Sequence, residues 1–434
     1  MNNRRDFKKK EMAMSSSPYV YLPVDIPVYT VKVTHREEIN GELLQQALER
    51  TLKRMPYLRD TIVEDHGAFW YAENPLPMEV AHIDQIRRVG GSETNYHMLD
   101  LTWDGNVTCF SMFHGFCDGQ GINTFLESVL YHYYCLKDKK EYEANGIRTD
   151  KGEMTEAEVF EPYAHTYALP EGFVMPEKRE MPAAYHIPEC SHETGEKVNV
   201  LGFRLKSDEL MAFVKENNTS PSIALSMLMG EAILRVHPEA DAPIFTIIPI
   251  SIRRMLGCEE TFKNCSSRTL LPLSGTPMDA MPFAEKAAAL RGMLKQQMNP
   301  NLFRSTYNLL GSMYRKRMEE AVSYAEELKK PAAFTGVSHD TFYLDYIGSM
   351  HPTDYMVQIT DIRFLCVPAA GKTMHLNVIE HNGIFSIECL SMSEESAYGE
   401  ALEEVLKAHG LGVQVEPASH FSLPRSAWRD GLGL

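Results

Sequence analysis

His114 and Asp118 stand four residues apart in the run Phe113-His114-Gly115-Phe116-Cys117-Asp118-Gly119-Gln120-Gly121. A neutral imidazole takes up and returns a proton near pH 7, so a histidine held beside open space suits general-base chemistry. A carboxylate four residues later can orient that base or pin the turn that carries it. Cys117 lies between them, but no base is evidently paired with it, as a nucleophilic thiol would need. The spacing alone is a weak signal, since about one such pair is expected by chance in a chain of this size. His237 and Asp241 repeat it in a polar, Pro-containing loop without the following glycine, and so act as a control. Taken alone, His114 reads equally well as a histidine satisfied by hydrogen bonds at a domain interface.

The surrounding pattern raises the interest of the first pair. An apolar run over 107–112 precedes it and an amphipathic run over 122–133 follows, which predicts strand, tight turn and helix. Gly119 and Gly121 are expected to supply backbone angles that other residues resist. Asn40 is placed to cap a helix ended by Pro56, and Ser220-Pro221 to open another. Strands are expected over 19–33, 61–71, 78–83, 198–205, 243–250, 341–347, 355–367, 373–380 and 384–390. Asn382-Gly383 joins the last two as a type I′ hairpin. Helices are expected from Ser207, over 282–297, over 306–329, and from a cap at Ser393 to Gly410. The Pro-rich stretch 137–198 reads as a crossover, which puts a domain boundary near residue 190.

At 434 residues two domains are the natural expectation. The organisation is therefore 1–16 as a disordered leader, 17–190 as one domain and 191–434 as a second. The formal net charge of -16 and the lack of a long basic run argue against nucleic acid as a partner. The eight cysteines form no Cys-x-x-Cys pair, which fits reduced thiols in a cytoplasmic protein and no metal site. No apolar stretch is long enough for a membrane helix, and the charged N-terminus is not followed by the apolar core of a signal peptide.

The His-x-x-x-Asp-Gly pattern resembles the signature of the CoA-dependent acyltransferase superfamily. That superfamily includes chloramphenicol acetyltransferase, plant BAHD acyltransferases, peptide-synthetase condensation domains and bacterial alcohol acetyltransferases. The chain is most similar to the alcohol acetyltransferase-like proteins. Phe113 stands where the first histidine of the signature usually stands. Three further blocks resemble the superfamily in order: Arg54 to Arg59, Gly67 to Pro75, and Ser251-Ile-Arg-Arg-Met-Leu256 running on to Thr261-Phe-Lys-Asn-Cys265. At 345–348 the family's Ser-Asn-Leu-Gly is replaced by Asp345-Tyr346-Ile347-Gly348.

The resemblance covers the chain from residue 19 onward. It implies an α/β (α+β) fold of two chloramphenicol-acetyltransferase-like sandwich domains with a tunnel between them. It implies His114 as general base, with Asp118 turned away from substrate and paired to Arg253, or failing that Arg254. Gly119 and Arg253 would be structural at the site. The oxyanion donor is left among Asn264, Ser266 and Ser267. Acyl-CoA, acetyl-CoA foremost, would be the co-substrate, with no bound cofactor, and a small alcohol or amine the acceptor. Arg253-Arg254 and Arg315, Lys316 and Arg317 are the cations on offer for the CoA phosphates, and they read equally as solvated surface. A condensation-type enzyme taking acyl groups from a carrier protein, and a catalytically silent binding protein, are the rival readings.

Overall fold

The computed structural model describes residues 7–22, 28–177, 181–188, 197–330, 340–366, 374–391, 397–422 and 426–429. Among these, strands fall into three sheets. The first has five strands in the order β12 (Ile359–Leu365), β2 (Val28–His35), β7 (Val107–Phe113), β6 (Leu99–Asp104) and β5 (Ala81–His82). A small antiparallel sheet joins β1 (Lys9–Met12), β4 (Ala68–Ala72) and β3 (Thr61–Asp65). The third has eight strands. Its path runs β10 (Ser266–Pro272), β9 (Phe245–Ser251), β11 (Phe342–Ser349), β13 (Met374–His381), β14 (Ile384–Ser391), β8 (Lys197–Lys206) and β15 (Val413–Val415), and β16 (Ser419–Ser422) also pairs with β8.

Two apolar cores result. The first gathers β2, β7 and the helices Gly41–Arg54 and Gly119–Asp138, and it includes Val31, Leu48, Phe110 and Phe125. Period-3.6 apolar positions on both helices make them pack side by side over the sheet. The second packs the helices Pro221–Val236 and Ala397–Ala408 onto the large sheet through Ile223, Leu228, Leu376 and Leu402. The α/β character and the two-part architecture expected from the sequence are both present.

The structure corrects several expectations. The leader assigned to 1–16 is ordered from residue 9: β1 pairs with β4, and Met14, Ser15 and Ser16 are buried. Two of its lysines are held by acids of the first domain, Lys9 on Asp65 and Lys10 on Asp60. The strand expected over 61–71 is a hairpin, turning at His66-Gly67, where both residues have positive φ (52° and 85°). The helix expected over 306–329 is two helices, Pro300–Glu319 and Tyr324–Lys329, because the Ser323 side chain caps a new start.

The boundary near residue 190 and the cap at Ser393 lie outside the described residues. A single division there does not partition the packing, however. β12 belongs to the second half of the sequence yet pairs with β2, and Phe303, Tyr307, Tyr324 and Trp428 join the first core.

Candidate active site

β7 ends at Phe113, and the helix Gly119–Asp138 begins five residues after His114. Phe113 is fully buried and its ring lies 5.3 Å from that of Trp428, so an apolar residue fills this strand end. The intervening turn is held by Asp118, which caps the helix: its Oδ1 accepts from the backbone N–H of Gln120 and Gly121, both at 3.2 Å. Gly119 and Gly121 are absent from the positive-φ residues, so unusual backbone angles are not why they are glycine. Space is the reason. A Cβ on Gly119 would sit 2.7 Å from the Tyr29 hydroxyl, and one on Gly121 would sit 2.4 Å from the Phe262 carbonyl oxygen.

Asp118 lines the cavity but its carboxylate is bound by the loop after β9. Arg253, 2% exposed, grips it with both terminal nitrogens at 2.8 Å. The Cys265 backbone N–H adds a bond to Oδ2 at 2.9 Å. The other Arg253 donors go to the carbonyls of Thr261 (2.8 Å) and Lys263 (2.7 Å) and to the Ser251 hydroxyl (3.3 Å). Resemblance offered Arg253 or Arg254 for this place; Arg253 occupies it, and Arg254 is exposed.

His114 faces into this cavity, of about 900 Å³ and lined from both halves of the chain. Its Nδ1 lies 3.3 Å from the Cys117 carbonyl oxygen. A carbonyl only accepts, so the proton sits on Nδ1 and the lone pair on Nε2. Nε2 meets only the Tyr19 hydroxyl at 3.4 Å. Burial lowers the pKa of His114, outweighing the opposite pull of Asp118, so the ring is neutral at pH 7. The rings of Tyr19 and Tyr29, 4.6 and 5.4 Å away by centroid, fix its plane. Cys117 is buried against the Met112 sulfur, and burial pushes its thiol well up, the opposite of what an activated nucleophile needs.

Asn264 lies beside His114, but its Nδ2 donates to the His114 backbone carbonyl at 3.1 Å, and its buried Oδ1 has no partner. It braces the loop under the imidazole. Ser266 and Ser267 line the cavity at the start of β10. The control pair behaves differently. His237 is tied to Glu239 (3.1 Å) and Tyr398 (2.5 Å), beside the second core and away from this cavity.

The cations offered for phosphate divide in two. Arg253 is enclosed with Asp118, and Arg317 pairs with buried Glu327 at 2.8 Å under the Tyr21 ring. Neither is available to a ligand. Arg315 donates to the Ala164 carbonyl, while Lys316 and Arg254 are exposed.

The sequence did not single out the wall opposite His114. β11 and β13 run parallel in a register that sets Tyr343 beside His375 and Asp345 beside Asn377. Side chains two apart on a strand share a face, so four polar groups line up there. Tyr343, Asp345, His375 and Cys366 all reach the cavity. The only signal in the sequence was the substitution of Asp345 for the usual polar pair. Asp345, Cys366 and His375 are also the one group of metal-capable side chains among the described residues, with ligand atoms within 4.8 Å. The Cys366 thiol is pushed well up by burial and by Asp345, and His375 Nδ1 donates to the Cys366 carbonyl at 3.1 Å. We read this group as neutral polar residues rather than as a cation site.

No protein-family model matches the sequence, and no curated protein matches it. Solved structures do match in fold. The chain is similar to polyketide synthase associated protein 5 from Mycobacterium tuberculosis, with a TM-score of 0.60, 14% identity, and coverage of 92% of this chain and 98% of that one. F. sporotrichioides TRI101, solved in complex with Coenzyme A and T-2, gives 0.58 at 12% identity, covering 94% and 100%. The first condensation domain of the CDA synthetase gives 0.55 at 13% identity, covering 93% and 96%.

Proposed function

We infer from the two-lobed fold that this chain shares with Coenzyme A-bound TRI101 and a condensation domain that it acts on acyl thioesters. We propose that it is an acyltransferase that moves an acyl group, acetyl foremost, from acyl-CoA to a small alcohol or amine. The observation that carries this reading is the state of His114. A neutral imidazole with its proton on Nδ1 presents the Nε2 lone pair to a cavity between the two halves.

In the reaction, Nε2 takes the acceptor's proton as the acceptor oxygen or nitrogen attacks the thioester carbonyl. A tetrahedral oxyanion forms, the C–S bond breaks, and the proton passes from His114 to the leaving thiolate. No acyl-enzyme is formed. Asp118 and Arg253 hold the turn and do not touch the reacting atoms. Asn264 positions the His114 backbone.

Thiol release from acetyl-CoA and longer acyl-CoAs, against a panel of alcohols and amines, tests this. Acceptor-dependent release is expected, and His114→Ala should lower it about 10²–10⁴-fold while the variant still melts cooperatively. Equal slow release by both proteins would make His114 structural. The likeness to a condensation domain favours one second reading, a donor thioester carried on a protein. Release only from a carrier-bound thioester would select it. Stabilisation by CoA without release from either donor would point to a silent binding protein.

A further inference from the structure

Asp345 has an unusual setting for a carboxyl group in a cavity wall. Its side chain is 17% exposed, and the nearest basic nitrogen is His375 Nδ1 at 3.7 Å, beyond hydrogen-bond reach. That nitrogen already donates to the Cys366 carbonyl, which leaves His375 Nε2 as a lone pair with no partner. No lysine or arginine lies within 4.0 Å of the carboxyl among the described residues.

Among the described residues on neighbouring elements, the one nearby cation, Arg268, binds Tyr343, and the other groups are neutral or paired. His375 on β13 is held neutral by burial, with its pKa near 3. Cys366 at the end of β12, Tyr29 on β2 and Tyr343 on β11 itself are all pushed up by burial and keep their protons. Arg268 on β10 is turned to the Tyr343 hydroxyl at 3.1 Å. His114 is neutral, and Asp118 is paired with Arg253. A carboxylate in such a place lacks both solvent and a counter-charge, and protonation is the cheaper state.

Of the donors expected for the oxyanion, Ser266 and Ser267 line the cavity at the start of β10. Asn264 gives its amide to the His114 backbone, and Asp345 stands where the resemblance led us to expect Ser-Asn. We propose that Asp345 works as a neutral carboxylic acid whose O–H donates to the oxyanion of the tetrahedral intermediate formed over His114. Its catalytic half rests on the acyltransferase reading above. The proton stays on Asp345 throughout: the hydrogen bond tightens as negative charge grows on the former carbonyl oxygen and relaxes when the thiolate leaves. Burial sets the carboxyl pKa near 7, which places the loss of the donor inside the working pH range.

The test uses the full chain in three forms: wild type, Asp345→Asn and Asp345→Ala. Thiol release from acetyl-CoA, with whichever acceptor is turned over, is followed from pH 5 to 9. Wild-type kcat/KM should fall above about pH 7. Asp345→Asn keeps an N–H donor that does not titrate, so it should retain most activity and lose that alkaline fall. Asp345→Ala should drop about 10²–10³-fold near pH 6.5. Full activity in Asp345→Ala, or an alkaline fall unchanged in Asp345→Asn, would overturn the proposal.

A second readout does not need activity. The melting temperatures of wild type and Asp345→Asn are compared from pH 4 to 8. A folded pKa above the unfolded one means that the folded state binds more protons between about pH 4 and 7, so stability falls as pH rises through that window. Wild type should therefore lose ground to Asp345→Asn there. A constant difference between the two would show an ionised Asp345 and also overturn the proposal. If wild type turned over no thioester while the two melting curves separated with rising pH as expected, the acyltransferase reading and the catalytic role would fall together. The neutral carboxyl would stand alone.

Discussion

Asp118 receives five hydrogen bonds, two from the Arg253 guanidinium and three from backbone N–H groups. Asp345, which lines the same cavity, has no basic nitrogen within 4.0 Å except that of the neutral His375 among the described residues. Both carboxyls are largely removed from water, yet the chain surrounds one with donors and leaves the other bare. The difference lies in where the partners come from. Arg253 and Cys265 reach Asp118 from a loop more than 130 positions away in sequence, itself held by carbonyls of Thr261 and Lys263. Among the described residues no lysine or arginine comes within 4.0 Å of the Asp345 carboxyl. Asp118 is locked into a hydrogen-bonded ion pair, while the Asp345 pKa is raised by burial.

Removing the cation from the first site should have the largest effect on stability. Arg253→Met leaves Asp118 buried with backbone donors alone, and should cost about 3–5 kcal/mol in urea unfolding. A loss below about 1 kcal/mol would mean that the backbone donors suffice and that the contrast between the two sites is overstated. The matching change at the second site should have the opposite sign. Asp345→Leu removes a carboxyl that folding holds protonated, so it should stabilise the protein above pH 7. With a folded pKa near 7 against 3.8 unfolded, the gain is on the order of 2–4 kcal/mol and vanishes by pH 4. Destabilisation at pH 8 would show that Asp345 has a counter-charge after all.

The smallest effect sharpens the division of labour between the walls. Asn264→Ala removes one hydrogen bond to the His114 carbonyl and should cost about 1 kcal/mol, with a several-fold fall in turnover. A fall near 10²–10³-fold without loss of stability would move the oxyanion donor from Asp345 back to Asn264.

Much of this site was legible before the fold. The apolar run, the Asp-Gly turn and the following helix are local patterns, and β7 and the helix Gly119–Asp138 appear where they were expected, whereas the Asp118 cap was not foreseen. The pairing of Asp118 with Arg253 came from resemblance, since nothing in spacing alone joins residues so far apart. The glycines were flagged correctly but for the wrong reason. Close approach of Tyr29 and the Phe262 carbonyl is a tertiary fact, whereas backbone angle is a local one. The leader failed for the same cause: residues 9–12 look like a charged tail until β4 arrives to pair with them.

What the sequence determined by itself was the set of elements, their caps and turns, and the local geometry that aims His114 out of a strand end. Those depend on residues within a few positions of one another. Tertiary structure decided that β12 and the helices Pro300–Glu319 and Tyr324–Lys329 complete the first half, that Arg253 is bound to Asp118 rather than free for phosphate, and that Asp345 faces the cavity with no lysine or arginine within 4.0 Å among the described residues. A side chain's charge state depends on which groups lie within a few ångströms of it, and in this chain those groups come from elements scattered along its length.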